Sequence, residues 1–145
     1  MTVLAVDYGL SKIGFACSNA SASMALPMGT LQTHGWSVDR QAEQTLEKAI
    51  DKRASVIVVG LPLHLDGNKS AQTTKTELFI TKLSALADQK KTGIEIKTFD
   101  ERLTSKQADR LLQEVCRNRK ERDRRSDETS AYLILDTYLN QLRLM

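Results

Sequence analysis

At 145 residues the chain is long enough to bury one core, and it reads as a single domain spanning residues 1–145. Apolar residues make up 41% and charged residues 27%, an ordinary globular balance, and no apolar run approaches the ~20 residues of a membrane-spanning helix. The net charge of +3 is unevenly spread: Arg117, Arg119, Lys120, Arg122, Arg124 and Arg125 stand against only Glu121 and Asp123, a local excess of four that leaves the rest of the chain at −1.

The N-terminus lacks a basic region followed by an apolar stretch and a small-residue cleavage site, so a cytoplasmic protein is expected. Cys17 and Cys116 have neither zinc-ligand spacing nor a disulfide framework and are expected to be buried, reduced thiols.

Thr2 to Val6 is apolar and β-branched and predicts a buried strand ending at Asp7. Gly9 and Ser11 supply a turn, and Ile13 to Ser18 predicts the returning strand of a hairpin. A third strand is expected near Met28 to Gln32. Ser37 suits a helix N-cap, and Val38, Ala42, Leu46 and Ala49 follow at helical spacing. Ser55 to Gly60 is apolar without alternation, the mark of a central strand covered on both faces. A loop follows, Leu61 to Lys69, with Pro62 and the turn dipeptide Asp66–Gly67. Ser70 or a neighbour starts a long helix with Leu78, Phe79, Leu83, Leu86 and Ala87 on one side. Ile94 to Phe99 predicts the last strand.

A helix is expected from Thr104, with Gln107 completing a capping box and Leu111, Leu112 and Val115 forming its apolar stripe. The basic stretch then reads as a loop. Ser126 or Asp127 opens the last helix, with Ala131, Leu135, Tyr138 and Leu139 at core spacing. The order predicts an α/β fold with a five-stranded mixed sheet, three antiparallel strands followed by parallel strands, flanked by helices.

In such a sheet Asp7, Glu101 and Asp127 fall at two strand ends and one helix terminus, where they can converge. Carboxylates gathered together repel one another, and a divalent cation relieves that cost. Hard oxygen ligands favour Mg²⁺ or Mn²⁺, and one or two such ions suit phosphodiester hydrolysis. Each acid also has a purely structural reading. Asp7 suits the start of a turn, Glu101 can pair with Arg102, and Asp127 suits the positive end of a helix. Both readings stand at this level.

The stretch Asp7–Tyr8–Gly9, continuing through Ser11–Lys12–Ile13–Gly14–Phe15–Ala16, resembles the opening of the YqgF (RuvX) family. Gly60–Leu61–Pro62–Leu63 with Asp66–Gly67 resembles that family's second motif, and Asp100–Glu101–Arg102–Leu103–Thr104–Ser105 its third. Ser126–Asp127 leading into Ser130–Ala131–Tyr132–Leu133–Ile134–Leu135 resembles its fourth. The resemblance spans nearly the whole chain, with the motifs in order. It implies a ribonuclease H-like fold and a metal-dependent nuclease, either trimming the 5′ end of pre-16S ribosomal RNA or resolving four-way DNA (Holliday) junctions. It also implies Asp7, Glu101 and Asp127 as the catalytic, metal-holding set, with Asp100 as a flanking acid paired to Arg102 or the backbone. His64 and Asn19 depart from the pattern, which has Asn and Asp there. Junction resolvases of this superfamily carry a fourth acid three residues after the third, where this chain has Ser130. Asp136 falls on the opposite helix face.

On the substrate side, Lys12 and the basic residues Arg117, Arg119, Lys120, Arg122, Arg124 and Arg125 are the expected phosphate contacts. The low side-chain bulk at Gly60, Pro62 and Gly67 admits backbone contact with phosphate or marks a tight strand exit. Aromatic residues total 5%, so no stacking platform for single strands is evident. The expected partners are nucleic acid, as structured RNA or branched DNA, and ribosomal precursor particles, with no membrane contact and a monomer or homodimer. Two other readings compete. One is a nucleic-acid-binding module whose acids are only structural. The other is an actin-like ATPase fragment, although that architecture needs two such domains.

Overall fold

The computed structural model describes residues 1–63, 66–103 and 119–144, with the backbone alone at 103 and 119–128. Three strands open the chain: β1 (Thr2–Tyr8), β2 (Lys12–Ser18) and β3 (Ala25–Gln32). Helix α1 (Val38–Asp51), strand β4 (Ala54–Leu61), helix α2 (Ala71–Gln89) and strand β5 (Glu95–Asp100) follow. A single 3₁₀ turn covers Glu101–Leu103, and helix α3 runs over Arg119–Arg143. The sheet order is β3-β2-β1-β4-β5. β1–β2 and β2–β3 are antiparallel, whereas β1–β4 and β4–β5 are parallel, which is the mixed sheet the element order predicts.

Alternation along the strands divides the core in two. Leu4, Val6, Tyr8, Ile13, Phe15, Ile57 and Val59 pack beneath Leu46 of α1 and Phe79 and Leu83 of α2. Val3, Ala5, Ala16, Val56, Val58 and Phe99 pack beneath Ala131, Ile134, Leu135 and Leu139 of α3. Because successive strand residues face opposite sides, this second face is also the side taken by Asp7 after Ala5 and by Gly60 after Val58.

Both helices on the first face start as their caps predict. The Ser37 hydroxyl accepts the Arg40 N–H at 3.1 Å, and Ser70 and Thr73 exchange bonds in a capping box at 3.2 and 3.0 Å. Each cap stabilises its helix by about 1 kcal/mol. β3 begins at Ala25, three residues before the predicted start. Its Pro27 is tolerated because β3 is an edge strand.

The last helix differs from its prediction. It runs over Arg119–Arg143, so Arg119 to Arg125 are helical rather than a loop, and Asp127 lies inside a helix rather than opening one. The physical reason is that Arg, Lys and Glu are strong helix formers, and no Gly or Pro interrupts the chain from Arg117 onward. The helix predicted from Thr104, with Gln107, Leu111, Leu112 and Val115, lies outside the described residues, as do Cys116, Arg117 and His64. Cys17 is buried, as expected.

Candidate active site

Asp7 is the penultimate residue of β1, half-buried, paired with Gly14 of β2. Two residues on, Gly9 makes the tight turn possible: a Cβ there would stand 2.6 Å from the Lys12 carbonyl oxygen. Lys12, at the start of β2, shares the second face with Gly14 and Ala16, so it stands diagonally across from Asp7.

On the other side of Asp7 lies β4. Its parallel register pairs Val6 with Val59, and one further step sets Asp7 beside Gly60. β5 continues the row, with Gly60 opposite Phe99. Beyond Asp100 the chain enters the 3₁₀ turn, and the Glu101 side chain folds back over Gly60. A Cβ built on Gly60 would meet Glu101 Cγ and Cδ at 2.9 Å each and Ile134 Cδ1 at 2.6 Å. Gly60 therefore lies within a strand, not in a phosphate loop, and its missing side chain is space used by Glu101 and α3. Asp7 and Glu101 thus come from either side of Gly60 onto one face of the sheet.

The turn that aims Glu101 is held by its neighbours. The Asp100 carboxylate accepts the Arg102 backbone N–H at 3.0 Å and the Arg102 Nε–H at 2.9 Å. The Arg102 side-chain bond, reinforced by its backbone bond and charge and opposed by partial burial, holds the Asp100 carboxyl below the usual carboxylate range. Asp100 is a partner of Arg102, as the sequence suggests. Arg102 also feels the charge of Asp66, and its Nη1 would stand 3.6 Å from a Cβ on Gly67, so it reaches toward the loop that follows β4. That loop is a turn as predicted, with Gly67 at φ 88° and Asp66 Oδ1 accepting the Asn68 N–H at 2.9 Å.

The third acid belongs to α3. Helical spacing puts position 127 one turn before Ala131 and two turns before Ile134, the residue that presses on Gly60. Positions 119, 120, 122, 124 and 125 occupy the turns just before it. Among the described residues no group of three His, Cys, Asp or Glu gathers as a metal-holding set, and the side chain of Asp127 is not among them. The donors described, two carboxylates from the ends of the strands that flank β4, have the hard-oxygen chemistry that Mg²⁺ and Mn²⁺ take. Asn19 serves the fold instead. Its Oδ1 accepts the N–H groups of Ser23 and Met24 at 2.9 and 3.2 Å and closes the β2–β3 turn.

Residues 1–141 match the family described as RuvX, Holliday junction resolvase. The chain belongs to the RuvX family. Membership makes it a nuclease, a hydrolase that cuts nucleic-acid backbone. A relative from Endomicrobium trichonymphae named "Putative pre-16S rRNA nuclease" is 37% identical over 139 residues, covering 95% of this chain and 94% of that protein. One of the same name from Rickettsia bellii is 33% identical over 140 residues, covering 97% and 86%. Among solved structures, RuvC of T. thermophilus in complex with a Holliday junction substrate superposes with a TM-score of 0.69 at 17% identity, covering 99% of this chain and 96% of that one. The fowlpox virus Holliday junction resolvase gives 0.63 at 11% identity, covering 98% and 99%. The fold of this RuvX-family chain is therefore the ribonuclease H-like fold of the resolvases. Among the described residues no helix is long and apolar enough to cross a membrane.

Proposed function

We propose that this chain is a single-domain, metal-dependent endonuclease that processes the 5′ end of pre-16S ribosomal RNA in the cytoplasm during ribosome biogenesis. The observation that carries the reading is the pairing of Asp7 and Glu101 across Gly60, on the face crossed by α3. The name borne by the relatives favours the ribosomal RNA substrate. Asp7, Glu101 and Asp127 hold one or two Mg²⁺ or Mn²⁺ ions, which supply Lewis acidity at the scissile phosphate when bound. The carboxylates also set the negative field that draws the cations in. Lys12, Arg117 and the basic turns from Arg119 to Arg125 grip backbone phosphates beside the cut, contacts that position a strand without reading its bases. Structured precursor RNA, free or within a ribosomal precursor particle, is the polymer such contacts suit.

A second reading is resolution of four-way DNA junctions, favoured by the similarity to RuvC and the fowlpox enzyme. It requires a homodimer with two-fold symmetry, because two strands are cut symmetrically, and it must work with Ser130 in place of a fourth acid.

The test is cleavage of end-labelled precursor ribosomal RNA and of a four-way DNA junction with Mg²⁺ or Mn²⁺, by wild type beside Asp7→Asn. Metal-dependent cutting of the RNA, lost in the variant and in EDTA, is expected. Cutting of the junction alone favours the resolvase. No cutting of either, with binding unchanged by the substitution, would reduce the chain to a binding module.

A further inference from the structure

Tyr8 follows Asp7 in the first motif, yet it faces away from the site. Its ring stacks on Phe79 with centroids 4.3 Å apart, and its hydroxyl donates to Gln41 Oε1 at 2.7 Å. Gln41 sits in α1, 1% exposed, on the face of the sheet opposite Asp7. Its Nε2 donates to the Leu10 carbonyl at 3.3 Å and to Thr33 Oγ1 at 3.1 Å. Thr33, fully buried, donates its hydroxyl to the same Leu10 carbonyl at 3.3 Å and its backbone N–H to the Ser11 carbonyl at 2.8 Å. From α2, Gln72 Nε2 donates to the Tyr8 carbonyl at 3.3 Å.

Of the three peptide carbonyls that accept these bonds, that of Tyr8 closes β1 immediately after Asp7, and those of Leu10 and Ser11 belong to the turn that leads to Lys12. Gln41 is the hub because only a carboxamide can accept from a phenol and donate twice elsewhere. Its orientation is fixed by chemistry, since reversing the amide would aim Oε1 at the Leu10 carbonyl, acceptor against acceptor. Buried networks satisfied in this way hold one geometry and are costly to break in part. Gly9 brings the turn no side chain with which to hold itself.

We infer that Gln41 is a positioning residue: from behind the sheet it fixes the turn at residues 9–11, and through that turn the placement of Asp7 and Lys12. The inference rests on the nuclease reading of Asp7, but Gln41 itself touches neither metal nor substrate. Active sites tolerate little looseness, and a misplacement of about 1 Å costs on the order of 100-fold in rate.

The test compares wild type with Gln41→Met, which keeps the volume and removes the polar atoms. Ala49→Gly serves as a control, a buried position on the same helix outside the network. Two quantities are read well below the melting transition: amide hydrogen exchange at residues 9–12, and kcat against KM for metal-dependent cleavage. Gln41→Met is expected to speed exchange at 9–12 and to lower kcat by ~10- to 100-fold with KM little changed. Ala49→Gly should lower the melting temperature and leave both readouts as in wild type. Should Gln41→Met fail to fold, Thr33→Val removes fewer bonds and should move both readouts the same way by less. Unchanged exchange at 9–12 overturns the inference, as does faster exchange with unaltered kcat. Failure of the nuclease reading appears separately, as a wild type that does not cut. Exchange then decides alone, acceleration supporting Gln41 as the anchor of the turn and no change refuting it.

Discussion

An alanine at position 60 would set its Cβ 2.6 Å from Ile134 Cδ1 and 2.9 Å from Cγ and Cδ of Glu101. Carbon atoms attract best at ~3.5–4.0 Å, so each contact is short by roughly 1 Å. All three atoms belong to side chains that can swing aside, so the fold should survive. Overpacking of this kind costs about 1–3 kcal/mol, offset by ~0.4–1 kcal/mol because alanine stiffens the unfolded chain. The net loss is roughly 1–2 kcal/mol, or a few degrees of melting temperature for a chain of this size. Activity should fall much further. Glu101 is displaced by about the length of the overlap, and a shift of about 1 Å costs ~100-fold. Thermal melts beside single-turnover cleavage at saturating Mn²⁺ separate the two effects. Full wild-type activity in Gly60→Ala would refute the argument that close backbone approach sets the place of Glu101. An unfolded variant would refute the claim that the side chains can yield.

Gly9→Ala should behave differently, because its Cβ would lie 2.6 Å from a backbone oxygen, that of Lys12, which no side-chain rotation relieves. A loss of at least ~2 kcal/mol is expected in urea denaturation, and a variant as stable as wild type would show that the turn can re-form. The Cys17 thiol is pushed up in pKa by burial, partly countered by the charge of Lys52. Its thiolate, the reactive form, should therefore appear only at a pH above the ordinary ~8.5. The sign follows for stability as well: the protonated thiol's contribution is intact below the ordinary thiol pKa and is lost as pH rises through the shifted value. Iodoacetamide labelling in a Cys116→Ser background, followed against pH in native and urea-unfolded protein, checks both. Equal labelling rates in the two states would contradict the burial.

Much of this fold is legible in single residues. The unbroken apolar run of β4 announces a central strand, Ser37 and Ser70 announce two helix starts, and Glu101 falls immediately after β5 as the strand pattern implies. The reading fails where polarity is taken for irregularity. The charged residues before Asp127 read as a loop, although their helix propensity and the lack of Gly or Pro point the other way. It also fails where contacts are distant in sequence. Nothing local to Gly60 says that Glu101 and Ile134 will occupy the space of its missing side chain. Gln41 and Thr45 do carry a local signal: both are polar residues on the core side of α1, and both are buried. Polar residues in an apolar stripe point to hydrogen-bond partners inside the protein.

The rims of the sheet have a consequence for the life of the protein before it meets any substrate. A strand with a bare flank invites pairing by another chain, the first step toward aggregation. Here one rim is β3, where Pro27 lacks a donor, Gly29 turns left-handed at φ 81°, and the pairing with β2 slips between Gly14 and Ala16. Next to β4, β5 is six residues long and carries Glu95 and Lys97. Neither offers a long, flat template. Once folded, a chain that exposes Met24 and Leu26 along such a rim is thereby steered from pairing edge to edge with its own copies, and dilution is not its sole protection.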